Sequence, residues 1–215
     1  MVRLLVFVIG YVFGMIQTSY ILGKMQGIDI RTKGSGNAGT TNALRVMGVK
    51  AGAITVAVDM LKCIFAVILV RIIFSGSDML PLLCIWTAAG AVLGHDFPFL
   101  MGFKGGKGIA ATGGMIIAFG DIRLIIIGII CFFLPVIITK YVSLGSLILS
   151  ASFVIGLPIS AALGCYGMTM AHRVEMCIIV LLLTILAYWQ HRGNIQRLLT
   201  GTERKISFHK KGTEG

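Results

Sequence analysis

The sequence predicts an all-α membrane protein of seven transmembrane helices, with the N-terminus outside and the C-terminus cytosolic. Three observations lead there. Of 215 residues, 57% are hydrophobic and 13% charged, where a soluble domain carries about 25% charged residues. The mean hydropathy is +0.95. The apolar residues also gather into seven runs, and the alternation of sides that these define puts fourteen of the 19 Lys and Arg residues on one side. Four fall on the other, with Lys62 inside a run. Short basic loops lie on the cytosolic side of a bilayer. The net charge of +11 therefore reads as membrane topology, and no nucleic-acid partner is expected.

The runs cover 2–22, 51–74, 80–93, 109–119, 124–139, 144–163 and 174–188. Crossing the hydrocarbon core takes about 20 helical residues. The first, second and sixth runs reach that length unaided, and the third, fifth and seventh reach it with adjoining residues. The fourth covers only about 16 Å at the helical rise. Charge bias decides in its favour, because a non-crossing fourth run would separate the basic C-terminal segment from the other basic loops. The start, Met1-Val2-Arg3 before a long apolar run, is read as the first transmembrane helix. That run is too long for a signal peptide and lacks a small-residue cleavage site.

Residues 1–199 are expected to form a single seven-helix domain and 200–215 a solvated cytosolic tail. The five cysteines stand singly in apolar segments, with no CxxC or Cys/His spacing. They are read as small lipid- or core-facing residues, and neither a metal nor a cofactor is expected.

Three polar islands interrupt the runs, and the seven-helix topology puts all three on the cytosolic face. The first is Gly34-Ser-Gly-Asn-Ala-Gly-Thr-Thr-Asn-Ala-Leu-Arg45. Gly34, Gly36 and Gly39 satisfy G-x-G-x-x-G literally, but a transmembrane run precedes them where a dinucleotide fold needs a strand. A Gly/Ser/Asn/Thr run entering a helix still offers many donors at a positive helix end. Arg45 can fork onto phosphate or carboxylate oxygens. An ordinary N-capped turn needs far fewer polar residues.

The second island, from Gly94 to Gly108, holds Gly102-Phe-Lys-Gly-Gly-Lys-Gly108. Met101 stands where a Walker loop needs Gly, and Gly108 where it needs Ser or Thr, so a nucleotide triphosphatase is excluded. Glycines packed around Lys104 and Lys107 suggest close backbone approach to a phosphate. His95 beside Asp96 suits either acid–base work or a helix cap.

The third island runs from His191 to Glu203, with His191 and Asn194 on one helical face. Tyr188, Trp189, Arg192 and Arg197 read as interfacial anchors. Asp59 and Lys62, three apart inside the second run, are expected to pair. Glu175 is read with Arg173 as decoration of the outer interface.

Carrying GSGNAGTTNALR at 34–45, GHDFPFLMGFKGGKG at 94–108 and HRGNIQRLLTGTE at 191–203, the chain resembles the bacterial integral-membrane glycerol-3-phosphate acyltransferases that use acyl phosphate. The resemblance covers nearly the whole chain. It implies transfer of a fatty acyl group to the sn-1 hydroxyl of glycerol 3-phosphate, giving lysophosphatidic acid and inorganic phosphate for phospholipid synthesis. The implied place is the bacterial cytoplasmic (inner) membrane, with the site on the cytosolic face. Membrane lipid surrounds it, and a phosphate:acyl-carrier-protein acyltransferase would supply the donor.

By the same resemblance, Ser35, Asn37, Arg45, Lys104, His191 and Asn194 are the expected catalytic residues. Gly36, Gly39, Thr41 and Asn42 would bind substrate in the first island, and Gly102, Gly105, Gly106, Lys107 and Gly108 in the second. Asp59, Lys62, His95 and Glu203 would support the site. Two cradles fit two phosphate-bearing substrates, with glycerol 3-phosphate assigned to the second island. An acyl phosphate has a good leaving group, so positioning and oxyanion stabilisation matter more than a strong nucleophile. Two general bases stay open: His191 and a substrate phosphate oxygen. No histidine has Asp five positions on. His209 and Glu214 only approximate that spacing.

Overall fold

The computed structural model describes residues 1–206, so His209 and Glu214 lie outside the described residues. The first crossing segment is two helices, α1 (Val2–Gly14) and α2 (Thr18–Met25). The break between them leaves the Ile16 carbonyl without a helical donor, and Lys62 Nζ donates to it at 2.6 Å. Beside it, buried Gln17 donates through Nε2 to the His95 carbonyl at 2.9 Å. A polar knot thus begins where the first apolar run appeared continuous in sequence.

After an irregular loop come α3 (Thr40–Met47), α4 (Val49–Ile73) and α5 (Leu80–Asp96). The centre of the molecule is α5, with Leu82, Leu83 and Ile85 fully buried. It meets α1 backbone to backbone, because Gly10 and Gly14 on one helix face Gly90 and Gly94 on the other. A Cβ at Gly10 would overlap the Thr87 carbonyl, and one at Gly94 the Tyr11 carbonyl. In lipid, where apolar burial gives little drive, such close approach is what holds helices together. The spacing of glycines four apart in both helices is the sequence signal for this contact.

The remaining helices are α6 (Ile109–Phe119), α7 (Ile122–Thr139), α8 (Val142–Ala162), α9 (Met170–Gln190) and α10 (Arg192–Leu199). Among the described residues, six segments are long and apolar enough to cross a membrane, while Ile109–Phe119 is shorter. α6 lies against α4, with Gly114 on the Met60 carbonyl. Its last carbonyls are capped from α4, since Arg71 Nη2 donates to Ala118 and Phe119 at 3.0 and 2.7 Å. The arginine reaches back to a helix end too short to find water by itself.

At the end of the bundle away from the islands, Glu175 accepts from Arg3 at 2.6 and 2.8 Å and from Trp86 Nε1 at 2.8 Å. This corrects the pairing with Arg173, whose Nε donates instead to the Met168 carbonyl. The carboxylate ties α1, α5 and α9 together.

Past α10, residues 200–202, 204 and 205 are exposed, while the Ile206 N–H donates to the Lys140 carbonyl at 2.8 Å and Glu203 is 9% exposed. The segment is held by internal hydrogen bonds and lies over the start of α8.

Candidate active site

The three islands meet at one end of the bundle. In the first, the loop from Ile30 to Gly39 is stitched by buried Asn42 on α3. Asn42 Oδ1 accepts from the Ser35 N–H at 2.8 Å, and its Nδ2 donates to the Ile30 and Lys33 carbonyls at 3.1 and 3.0 Å. Gly34, at φ +63°, lies directly on this carboxamide, leaving no room for a side chain. Both amide hydrogens of Asn42 are therefore spent inside the protein. It shapes the loop and also lines a cavity, together with Ser35, Gly36, Asn37, Gly39, Thr41 and Arg45.

The second island folds back onto the end of α5. The N–H groups of Gly105 and Gly106 donate to the Asp96 and His95 carbonyls at 3.1 and 3.0 Å. They satisfy the open C-terminal end of α5 and do not line the cavity. A Cβ on Gly106 would overlap the His95 ring, and one on Gly105 the His95 carbonyl. The glycine density is explained by that packing. Gly102 ends the short turn at Phe99–Met101 in a left-handed conformation, and Lys104 is exposed. Of the expected phosphate loop, Lys107 and Gly108 alone line the cavity. Gly108, at φ +70°, caps α6 with the Asp96 carboxylate where a Cβ would be.

The third island supplies the opposite wall. His191 is buried, and its Nδ1 lies 2.7 Å from the Ala187 carbonyl. A carbonyl only accepts, so Nδ1 carries the hydrogen and Nε2 keeps its lone pair. Burial, then the Lys107 charge, pushes His191 down to about 4. Asn194 Oδ1 accepts from Lys107 Nζ, and Asn194 Nδ2 donates to Glu203 Oε1 at 2.9 Å. Glu203 also accepts from Ser143 Oγ at 3.1 Å and Arg197 Nε at 2.8 Å. A chain of contacts therefore runs from Lys107 through Asn194 to a buried carboxylate. Burial, reinforced by Arg197, pushes Lys107 down to about 8, while Glu203 pulls the other way.

Beneath the cavity, the paired Asp59 and Lys62 are present as expected. Lys62 Nζ spends its three hydrogens on Asp59 Oδ1 at 3.0 Å, His95 Nδ1 at 2.8 Å and the Ile16 carbonyl. Thr18 Oγ1 adds a hydrogen bond to Asp59 at 3.3 Å. Asp59 and His95 reach the cavity wall and Lys62 does not. Among the described residues, no group of three or more His, Cys, Asp or Glu could hold a metal ion.

The cavity measures about 1110 Å³ and joins two unlike halves. Around one end stand Arg45, Lys107, His191, Arg192, Asn194 and Arg197. The other is an apolar groove of Ile116, Ile117, Ile129, Phe132, Phe133 and Leu149. Arg192 and Arg197, read from sequence as lipid anchors, line the cavity, as do Ser143 and Gln190. Their signal was faint, since a basic residue just past an apolar run is an anchor in most chains.

A family model described as glycerol-3-phosphate acyltransferase matches residues 4–201. The chain belongs to the glycerol-3-phosphate acyltransferase family. It is 40% identical to the glycerol-3-phosphate acyltransferase of Clostridioides difficile over 217 residues, covering 96% of this chain and 97% of that one. To that of Bacillus subtilis it is 38% identical over 205 residues, covering 95% and 97%. The fold matches the crystal structure of PlsY (YgiH), an integral membrane glycerol 3-phosphate acyltransferase, in its glycerol 3-phosphate form. The TM-score is 0.82 at 29% identity, covering 95% of this acyltransferase and 96% of that chain.

Proposed function

We propose that this acyltransferase moves a fatty acyl group from acyl phosphate to the sn-1 hydroxyl of glycerol 3-phosphate, releasing lysophosphatidic acid and inorganic phosphate. The observation that supports the donor is the cavity itself, in which a cationic end continues into an apolar groove. An acyl phosphate has that polarity. The PlsY structures include a glycerol 3-phosphate form and a lysophosphatidic acid form, which supports the acceptor and the product.

In this reading the glycerol 3-phosphate lies on the Lys107 and Arg197 side, with Asn194 orienting Lys107. Glu203 supports Asn194, while His95, Asp59 and Lys62 hold the loop beneath. Gly102, Gly105 and Gly106 shape the loop that presents Lys107, and Lys104 adds positive charge outside the cavity. The donor phosphate lies against the Ser35–Gly39 backbone, Thr41 and Arg45, at the positive end of α3. The sn-1 oxygen forms a bond to the acyl carbon, and the acyl C–O bond to phosphate breaks with its electron pair. The hydroxyl proton goes to a phosphate oxygen, while His191 Nε2 accepts from a glycerol hydroxyl and fixes its position. Cationic groups and α3 stabilise the charge that develops.

The same reading takes α6 as a seventh crossing, completed by its flanking residues. The N-terminus is then outside and the site faces the cytosol of a bacterial inner membrane, where a phosphate:acyl-carrier-protein acyltransferase would supply donor. Purified protein should release phosphate only when acyl phosphate and glycerol 3-phosphate are both present, and not with acyl-CoA. No release in any lipid or detergent would refute it.

A further inference from the structure

The floor of the apolar groove is built around a glycine. The deepest residue lining the cavity is Leu149 on α8, Ile117 on α6 and Ile125 on α7. Gly128 stands between them and is buried. A Cβ placed on it would lie 3.2 Å from Leu149 Cδ1 and 3.7 Å from Ile116 Cδ1. Three helices therefore converge at this level, and the absence of a side chain at Gly128 is what admits Leu149 and Ile116 so closely.

Depth follows from the helical rise. Ser143, which contacts Glu203, stands at the polar end of α8, and Leu149 lies roughly 9 Å further down. Ile125 is roughly 4 Å beyond Gly128 on α7. The groove is thus about 13 Å deep, room for about ten extended methylene carbons, since zigzag bonds near 1.5 Å advance only about 1.3 Å each along the chain.

The groove is also open on one side. Ile117 is 41% exposed, Ile129 52% and Phe133 53%, yet all three line the cavity. They sit on α6 and α7 and mark an opening between those helices toward the bilayer.

We infer that the acyl groove ends at the level of Ile125, one turn past Gly128, and that the missing side chain at Gly128 is what lets an acyl chain reach it. About the first ten carbons lie inside, and the rest of a longer chain leaves sideways between α6 and α7. The inference rests on the acyl-phosphate reading above. Carbons inside the groove are selected by contact, and a pocket discriminates one methylene by about 10- to 200-fold at best. Carbons beyond it pass from lipid to lipid and gain nothing, since lipid tails are as apolar as the helices.

The test is a chain-length series from butyryl through decanoyl to palmitoyl phosphate, at fixed glycerol 3-phosphate, with the purified protein in lipid bilayers. Donor is expressed as mole fraction in the bilayer. The value of kcat/KM should rise to about decanoyl and then stay within about twofold up to palmitoyl. Gly128→Leu should move the break to a chain about three carbons shorter. If that variant does not fold, Ile116→Ala, which widens the same slot, should move the break to a longer chain. A sharp optimum with loss beyond it, a rise that continues to palmitoyl, a profile flat from butyryl, or a break that neither variant moves would overturn the inference. If the wild-type protein released no phosphate from any acyl phosphate, the proposed donor would fall instead.

Discussion

Glu203→Ala is the most exacting test of the site, because Glu203 lies in the segment that the sequence reads as a solvated tail. The carboxylate is 9% exposed and accepts from Asn194, Ser143 and Arg197. The Arg197 side chain is 43% exposed, so that pair is worth only about 0–1 kcal/mol. The half-buried Asn194 contact matters more, at about 1.5–3 kcal/mol for a hydrogen bond to a charged group. Losing it frees the Asn194 amide to turn, and Lys107 loses its fixed acceptor. Phosphate release should then fall by about 10- to 100-fold in kcat/KM. The pH dependence carries a second readout. Lys107, pushed down to about 8, holds its charge below that pH and loses it above, so glycerol 3-phosphate binding should weaken as pH rises through about 8. Glu203 raises Lys107, so Glu203→Gln should shift that weakening to lower pH. Release within threefold of wild type for Glu203→Ala, with an unmoved basic limb for Glu203→Gln, would refute a role for this carboxylate.

Two further outcomes follow from burial. Lys107→Ala should raise the KM for glycerol 3-phosphate and cost about 2–5 kcal/mol in kcat/KM, the range for removing one member of a desolvated charge pair. Lys104→Ala, at an exposed position, should cost no more than about 1 kcal/mol, and equal losses would assign the lysines wrongly. Asp59→Asn should destabilise the protein by about 3–5 kcal/mol by leaving Lys62 buried without its counter-charge. Asp59→Asn combined with Lys62→Met should recover part of the thermal stability in detergent, and a double variant less stable than the single one would contradict the pairing.

Much of this architecture was legible in the sequence because lipid solubility is additive over a run, whereas site geometry is not. The apolar runs became helices, and Asp59–Lys62 paired as their spacing demanded. The break at Ile16 was hidden, because a helix interruption satisfied by a side chain 46 residues away leaves no local mark. The neighbours of Gly105 and Gly106 were hidden for a similar reason. Glycine signals close approach but not what approaches, and here the partners are the His95 ring and the end of α5. Arg192 and Arg197 looked like anchors because their role depends on α10 turning across the cavity mouth. Glu203 was expected to support the site, and its packing came only with the folded segment around it.

The choice between two proton acceptors narrows once the surroundings of His191 are known. An effective general base has a pKa near the working pH. His191 keeps an available Nε2, but burial and Lys107 hold it down to about 4. A phosphate monoester loses its second proton near a pKa of about 6, which makes its dianion about a hundredfold the stronger acceptor. Both proposed substrates would bring phosphate into the same cavity, so a phosphate oxygen is at hand for a hydroxyl held there. A buried neutral imidazole suits a different task, accepting a hydrogen bond without taking the proton, and its low proton affinity then becomes an advantage. A site built this way needs no strong base of its own, which fits a donor whose leaving group departs readily. It also gives the cationic residues that crowd one end a task in the proposed reaction, which is to hold two phosphates close enough for one to take a proton while the other leaves.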